Sequence, residues 1–365
     1  MLHVYRQVSN LKNFNSTVVT RRRENLTLFP FDNVYLLRKS KVRLLHRAYN
    51  RMIGNLIPLS KFEVSQVLSF SESMQEPLLH IYQGDIALRS INLLKMFPGP
   101  RVISFHGADL SNSHTEYQYR RLWNLVEVVL CRCKAFLPIL EGLGCPKEKI
   151  RLNYTGIPTP RQHSDVTPPS LGKDKPLKIL QVSRFIEKKG LDITIKAFKK
   201  ISDLGFNARL VLAGDGPLKS KLKAMSIDLG IKNKVEFKGF LSPEKIKVEY
   251  LDADLFCHPS RKTGDGDREG IPNSILEAMS YGLPVISTNH SGIPEVISDF
   301  KTGVLIENDN YDFLADEVIN LSKNNSLYQE ISQNSRELVE SKFSIKECIN
   351  SLEESYNTAF DLREL

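Results

Sequence analysis

From Leu177 onward, apolar runs alternate with amphipathic segments at a spacing that admits few folds. The runs are LKILQVSRF, ARLVLAGDGP, KVEFKGF and ADLFCHPS, and segments of helical period lie between them over Leu191–Leu204, Leu218–Leu229 and Glu244–Leu251. Runs this continuous suit strands covered on both faces, and a helix between successive strands lets them pair in parallel. The second half therefore reads as a doubly wound α/β domain.

The first half carries similar pieces in STVVTRR, LLHIYQGD and RVISFHGADL, each a strand ending in a polar or glycine turn. A second doubly wound domain is expected there. Met1–Val4 leaves little room for an opening strand before the helical-looking RQVSNLKNF, so that strand is expected to be truncated or missing. Between Tyr154 and Pro176 five prolines and many polar residues interrupt both periods, which marks a domain boundary. The expected domains are residues 1–165 and 174–344, with a helical segment over Ile345–Leu365 that can pack on either.

Composition narrows the class. Of 365 residues, 41% are apolar and 25% charged, which excludes a disordered chain, a collagen-like repeat and a disulfide-stapled miniprotein. The five cysteines, Cys131, Cys133, Cys145, Cys257 and Cys348, are odd in number and lack C-x-x-C spacing, so neither a disulfide framework nor a zinc site is indicated. No stretch approaches the ~20 apolar residues that cross a bilayer, and the start resembles no signal peptide, so a cytoplasmic location is expected. Charge is unevenly spread: residues 1–165 hold 23 basic and 12 acidic side chains, and residues 166–365 hold 27 and 30, giving +11 and −3. Much of the excess falls on Arg38–Ile57. There Val42, Leu45, Tyr49, Met52 and Leu56 share one helical face and Lys39, Lys41, Arg43, Arg47 and Arg51 occupy the rest. Such a helix can lie on an anionic membrane, or be a domain helix with a solvated face.

The densest site signal is DGDREGIPNSILEAMSYG, Asp265–Gly282. A glycine-rich loop leads into a helix with Asn273 as its expected N-cap and Gly282 beyond its end. The stretch Gly270, Ile271, Pro272, Asn273 marks a helix start whose free N–H groups suit a phosphate. Glu269 and Glu277 flank that start, where carboxylates suit hydroxyl groups rather than a diphosphate; a capped surface helix is the plainer alternative. In SRFIEKKG, Ser183–Gly190, Arg184 and Lys189 follow a strand, where they can neutralise a diphosphate or be a solvated basic loop. Gly214-Asp215-Gly216-Pro217 reads as a tight turn, not a Walker loop or dinucleotide fingerprint. In FHGADL, His106 and Asp109 follow another strand; His106 can touch a substrate hydroxyl or be structural.

On these residues the second half resembles glycosyltransferase family 4, the retaining, metal-independent transferases of the GT-B fold. The matching stretches are SRFIEKKG, LVLAGDGP, VEFKGFLS and DREGIPNSILEAMSYGLPVISTNHSGIPEVI, the last containing the E-x7-E pattern as Glu269 and Glu277. FHGADLS, GCPKEKI and GDGDREGIP most resemble the colanic-acid and exopolysaccharide branch. The resemblance implies two Rossmann-like domains facing across a cleft, an N-terminal acceptor domain and a C-terminal donor domain. It implies a UDP- or GDP-hexose donor, a lipid-linked saccharide acceptor, and no cofactor or metal. By it, Arg184 and Lys189 bind the donor diphosphate, Glu269 the transferred sugar with the Gly270–Asn273 amides nearby, and Glu277 the ribose; His106 approaches the donor sugar. Two rivals are a sugar-nucleotide 2-epimerase of the same fold and a non-catalytic membrane-associated assembly subunit. No nucleic-acid recognition motif accompanies the positive charge, so no nucleic-acid partner is expected.

Overall fold

A computed structural model describes residues 2–38, 58–110, 116–160, 175–264, 266 and 268–364. Contacts divide the chain into one unit of Met1–Gly156 with Ile345–Leu365 and a second of Ile157–Ser344. Each is a parallel α/β structure, and the expected fold class holds.

The first unit contains β1 (Val18–Thr20), β2 (Val34–Leu36), β3 (Leu79–Ile81), β4 (Arg101–Phe105), β5 (Val128–Cys131) and β6 (Ile150–Leu152). β3-β4-β5-β6 form a parallel sheet in that order, and β1 and β2 pair separately. Among the described strands of this sheet the order follows the chain. The opening residues form a helix, Leu2–Val8, in place of a strand, and the helical period expected through Phe14 stops at Val8. The terminal helix Ile345–Glu364 packs Ile349, Leu352, Tyr356 and Ala359 against Val102, Val128 and Leu130. Its Glu353 accepts from the Asn13 backbone at 2.8 Å and the Asn13 side chain at 2.7 Å, tying the two ends of the chain together. At the amino edge of the sheet Arg101 donates to Glu127 through Nη2 at 2.6 Å and Nε at 3.2 Å, a buried pair whose charges cancel.

The second unit contains β7 (Leu177–Val182), β8 (Ala208–Ala213), β9 (Val235–Gly239), β10 (Leu255–His258), β11 (Val285–Thr288) and β12 (Val304–Ile306). They form one parallel sheet in the order β12-β11-β10-β7-β8-β9. Strand order reverses between β7 and β10, which makes the carboxyl ends of those strands the crevice where open α/β sheets take ligands. β10 and β11 are buried throughout and β7 is buried up to Val182, as their unbroken apolar runs require. On one face, the helix Leu191–Asp203 buries Ile195, Phe198 and Ile201 in a core shared with Leu210, Leu212, Leu314 and Val318.

Most of the basic segment Arg38–Ile57 lies outside the described residues. No helix among the described residues is long and apolar enough to cross a membrane.

Candidate functional site

The site is assembled where β7 and β10 end. After β7 the chain turns through Ser183–Lys189, and Gln181 holds the turn by donating to the Lys189 carbonyl at 2.7 Å while accepting from Thr194 at 2.7 Å. Gly190 closes it at φ 60°, and a Cβ there would lie 1.8 Å from the Pro259 carbonyl oxygen of the loop after β10. The two loops are further joined by the Arg261 amide donating to the Lys188 carbonyl at 3.0 Å. The Gly214 turn packs on the same loop, since a Cβ on Gly214 would lie 1.8 Å from the Ser183 carbonyl oxygen. These glycines thus serve close approach of loops as well as turning.

This interlocking brings Lys189 against Glu269. Their side chains, 10% and 14% exposed, form a direct ion pair. Burial alone would raise the Glu269 carboxyl, but the ammonium groups of Lys189 and Lys188 outweigh it and hold the group below the usual carboxylate range. Arg184 lies on the same loop but is exposed, with no ion-pair partner among the described residues. The helix Asn273–Ser280 follows Gly270 and Ile271. Asn273 is its first residue rather than its cap: Pro272 precedes it in extended conformation, and no side-chain cap bond forms. A proline there supplies no side-chain acceptor, so the first amides of the helix stay open toward the loop. Glu277, one turn in, accepts from the Tyr250 hydroxyl at 3.2 Å.

Two histidines that the motif reading passed over belong here. His258 ends β10, wholly buried, with Nδ1 3.4 Å from the Ser274 hydroxyl and Nε2 without a partner. Burial, then the Lys189 charge, pushes its pKa down to about 3, so the ring is neutral. His290 follows β11, and its Nε2 is also unpartnered, as are the hydroxyls of Ser183, Ser260 and Ser291. Buried polar atoms are nearly always satisfied, so their gathering beyond the carboxyl ends of β7, β10 and β11 marks a place built for a polar ligand. The signal available in the sequence was a histidine at or just past the end of an apolar run, in LFCH and ISTNH.

His106 belongs to the first unit, directly after β4. Its amide donates to Asp109 at 2.9 Å, its ring centroid is 4.8 Å from that of His3, and its Nε2 is buried without a partner. Burial first, then Arg132, brings its pKa down to about 2. Among the described residues no group of three or more His, Cys, Asp or Glu is arranged to hold a metal ion.

With this geometry in hand, comparisons with known proteins give a consistent result. Residues 164–338 match the sequence profile of the family described as Glycosyl transferases group 1. The chain is 36% identical over 272 residues to the amylovoran biosynthesis glycosyltransferase AmsK of Erwinia amylovora, covering 73% of this chain and 66% of that protein. It is 33% identical over 238 residues to the putative colanic acid biosynthesis glycosyltransferase WcaL of Salmonella typhimurium, covering 64% and 58%. The matched region thus spans less than two thirds of each relative's length. The crystal structure of Anabaena Alr3699/HepE in complex with UDP and glucose is similar at a TM-score of 0.75 and 18% identity, covering 98% of this chain and 95% of that one. The fold is accordingly that of the GT-B transferases, and the chain carries a domain of the group 1 glycosyl transferase family.

Proposed function

We propose that this protein is a retaining hexosyltransferase of glycosyltransferase family 4. It takes a hexose from a UDP- or GDP-sugar and passes it to a lipid-linked saccharide during assembly of a surface polysaccharide. The observation that carries the reading is the buried Lys189–Glu269 pair at the strand-order reversal of the second unit, surrounded by unsatisfied polar atoms. Support for the pathway comes from the relatives, one named as an amylovoran biosynthesis glycosyltransferase and the other as a putative colanic acid biosynthesis glycosyltransferase. HepE, crystallised with UDP and glucose, supports a nucleotide-linked hexose.

In this reading the donor diphosphate lies against Lys189 and Arg184 and the amides of Gly270, Ile271 and Asn273. Arrival of that dianion gives Lys189 a second partner, and Glu269 turns its free lone pairs to the sugar hydroxyls. Glu277 holds the ribose hydroxyls. As the bond from the anomeric carbon to the phosphate oxygen lengthens, charge builds on the diphosphate, where Lys189 and Arg184 already stand. The acceptor hydroxyl attacks from the same face, its proton passes to the departing phosphate oxygen, and a nucleoside diphosphate leaves. A neutral His106 on the acceptor unit donates or accepts a hydrogen bond at a sugar hydroxyl. Charge neutralisation is assigned to these side chains and amides, with no metal or cofactor. The enzyme works in the cytoplasm at the inner face of the membrane, with the basic segment Arg38–Ile57 on the anionic lipid.

A mass-spectrometric screen of UDP- and GDP-hexoses against polyprenyl-diphosphate saccharides tests this. Extension of an acceptor by one hexose, with release of nucleoside diphosphate only when acceptor is present, is the expected result. Isomerised sugar released without acceptor would instead identify an epimerase. Absence of any turnover while vesicle binding persists would identify an assembly subunit.

A further inference from the structure

The first unit holds a buried cation that its own sheet does not neutralise. Arg132 is the first residue past β5 and 5% exposed. Its Nη1 donates to the Asn153 side chain at 3.1 Å and Asn153 carbonyl at 3.4 Å, and its Nη2 to Gln7 at 3.1 Å and Ser104 at 3.5 Å. All these partners are neutral, and Nε has none. The amino edge of the same sheet shows the ordinary solution, since Arg101 is locked to Glu127. An unpaired guanidinium taken out of water costs several kcal/mol in a protein interior, so a fold that keeps one has a use for it.

The surroundings are those of a ligand site. Tyr82, His106, Arg132 and Asn153 are each the first residue beyond β3, β4, β5 and β6, so one position past every strand of the sheet converges on this cluster. His80 is fixed between the Tyr356 hydroxyl at 2.8 Å and the Ser104 hydroxyl at 2.6 Å, which directs a neutral polar wall toward the cation. His106 Nε2 is the cluster's second orphaned atom. The helix Leu2–Val8 borders the cluster, with Gln7 on Arg132 and the His3 ring 4.8 Å from that of His106.

We propose that Arg132 is the centre of an oxyanion site, taking a phosphate or carboxylate group carried by the sugar acceptor. The oxyanion accepts from Nε and the Nη edge of Arg132, supplying the counter-charge that the fold omits, with the neutral His106 ring beside it. This assignment rests on the transferase reading for the identity of the ligand, not for the existence of the site. It extends acceptor selection to charge: an acceptor bearing the anion is bound, and its neutral analogue is bound about tenfold to a hundredfold more weakly.

The test is a histidine-resolved NMR titration of the full chain with inorganic phosphate, farnesyl diphosphate and glucuronate. The rings of His3 and His106 lie close to Arg132 and His80 is bonded to Ser104 beside it, and shifts that are lost in Arg132→Gln but kept in Arg184→Gln report this site rather than anions bound near Lys189. Saturable shifts of His106 and His3, lost or weakened at least tenfold in Arg132→Gln, are the expected result. A response to farnesyl diphosphate alone assigns the carrier diphosphate, and one to glucuronate alone an acidic sugar. Arg132→Gln removes an unpaired charge and is expected to fold; Arg132→Lys, which keeps charge without Nε, serves as the second variant and weakens binding less. No saturable shift with any probe, or equal shifts in the variants, overturns the proposal. Because the titration needs no donor and no turnover, it stands or falls independently of hexose transfer.

Discussion

The carboxyl ends of the two sheets handle a buried cation in opposite ways. In the second unit Lys189 meets Glu269, and the site carries its own counter-charge. In the first, Arg132 meets amides and a hydroxyl, and the charge is left open. A self-neutralised pair keeps its loops organised before any ligand arrives, and the ligand must then compete with an existing bond. An open cation has no such competitor. In the proposed reading, the contrast separates a site that must let a diphosphate arrive and leave from one that waits for an anion the protein does not supply.

Breaking the pair should have the largest effect. Lys189→Ala leaves Glu269 buried without its partner, which is expected to cost about 3 kcal/mol by urea denaturation and to slow hexose transfer at least ~100-fold. Arg132→Gln is expected to cost clearly less than Lys189→Ala, because the hydrogen bonds lost to Asn153, Gln7 and Ser104 are offset by removal of a buried charge that has no counter-charge. A large loss of stability there would erase the contrast. Next in size, Gly190→Ala puts a Cβ 1.8 Å from the Pro259 carbonyl at a φ of 60°, and the loops after β7 and β10 must part. A loss of about 2 kcal/mol is expected, with weakened binding of nucleoside diphosphate by calorimetry.

Titration sharpens the comparison further. His106 and His258 are lowered to about 2 and about 3, in each case by burial first and then by Arg132 and Lys189 respectively. Between those values and about 6.5 the unfolded chain binds protons that the folded chain refuses, so stability falls as pH falls through that window. Each histidine contributes about 1.4 kcal/mol per pH unit, measurable by denaturation at pH 7, 6 and 5. Glu269 acts at lower pH: its depressed pKa gives stability that is present above the unfolded carboxylate range and lost as pH falls through the folded value. Arg132→Gln should raise the His106 pKa and leave His258 where it is, and NMR titration of both rings checks this. The smallest effect concerns the membrane. Raising salt should release the protein from anionic vesicles, and salt-insensitive binding would argue against the basic segment as the contact.

Much of the second unit was legible because its signals are local. Continuous apolar runs mark strands buried on both faces, and SRFIEKKG and DREGIPNS place charges just past two of them. Pairing of Lys189 with Glu269 was not legible, since it depends on Gly190 letting the loop after β7 touch Pro259, a contact between segments far apart in sequence. Asn273 was misread as a cap because Asn commonly fills that role, whereas here Pro272 occupies it. The first unit was harder to read. Its described strands run only three to five residues, too short for a clear period, and Arg132 lies in LCRCK with nothing nearby to suggest burial. Its isolation becomes visible only when Gln7, Ser104 and Asn153 are brought around it from three other stretches of chain.

The central claim is that a nucleotide sugar is held and cleaved at Lys189 and Glu269. Acceptor-dependent release of nucleoside diphosphate, followed for the unmodified protein and for Glu269→Gln, tests it most directly. The Gln variant keeps the volume of the side chain and removes only its charge. Release that requires acceptor and falls at least ~100-fold in Glu269→Gln is predicted; release at the unmodified rate in that variant would contradict the account.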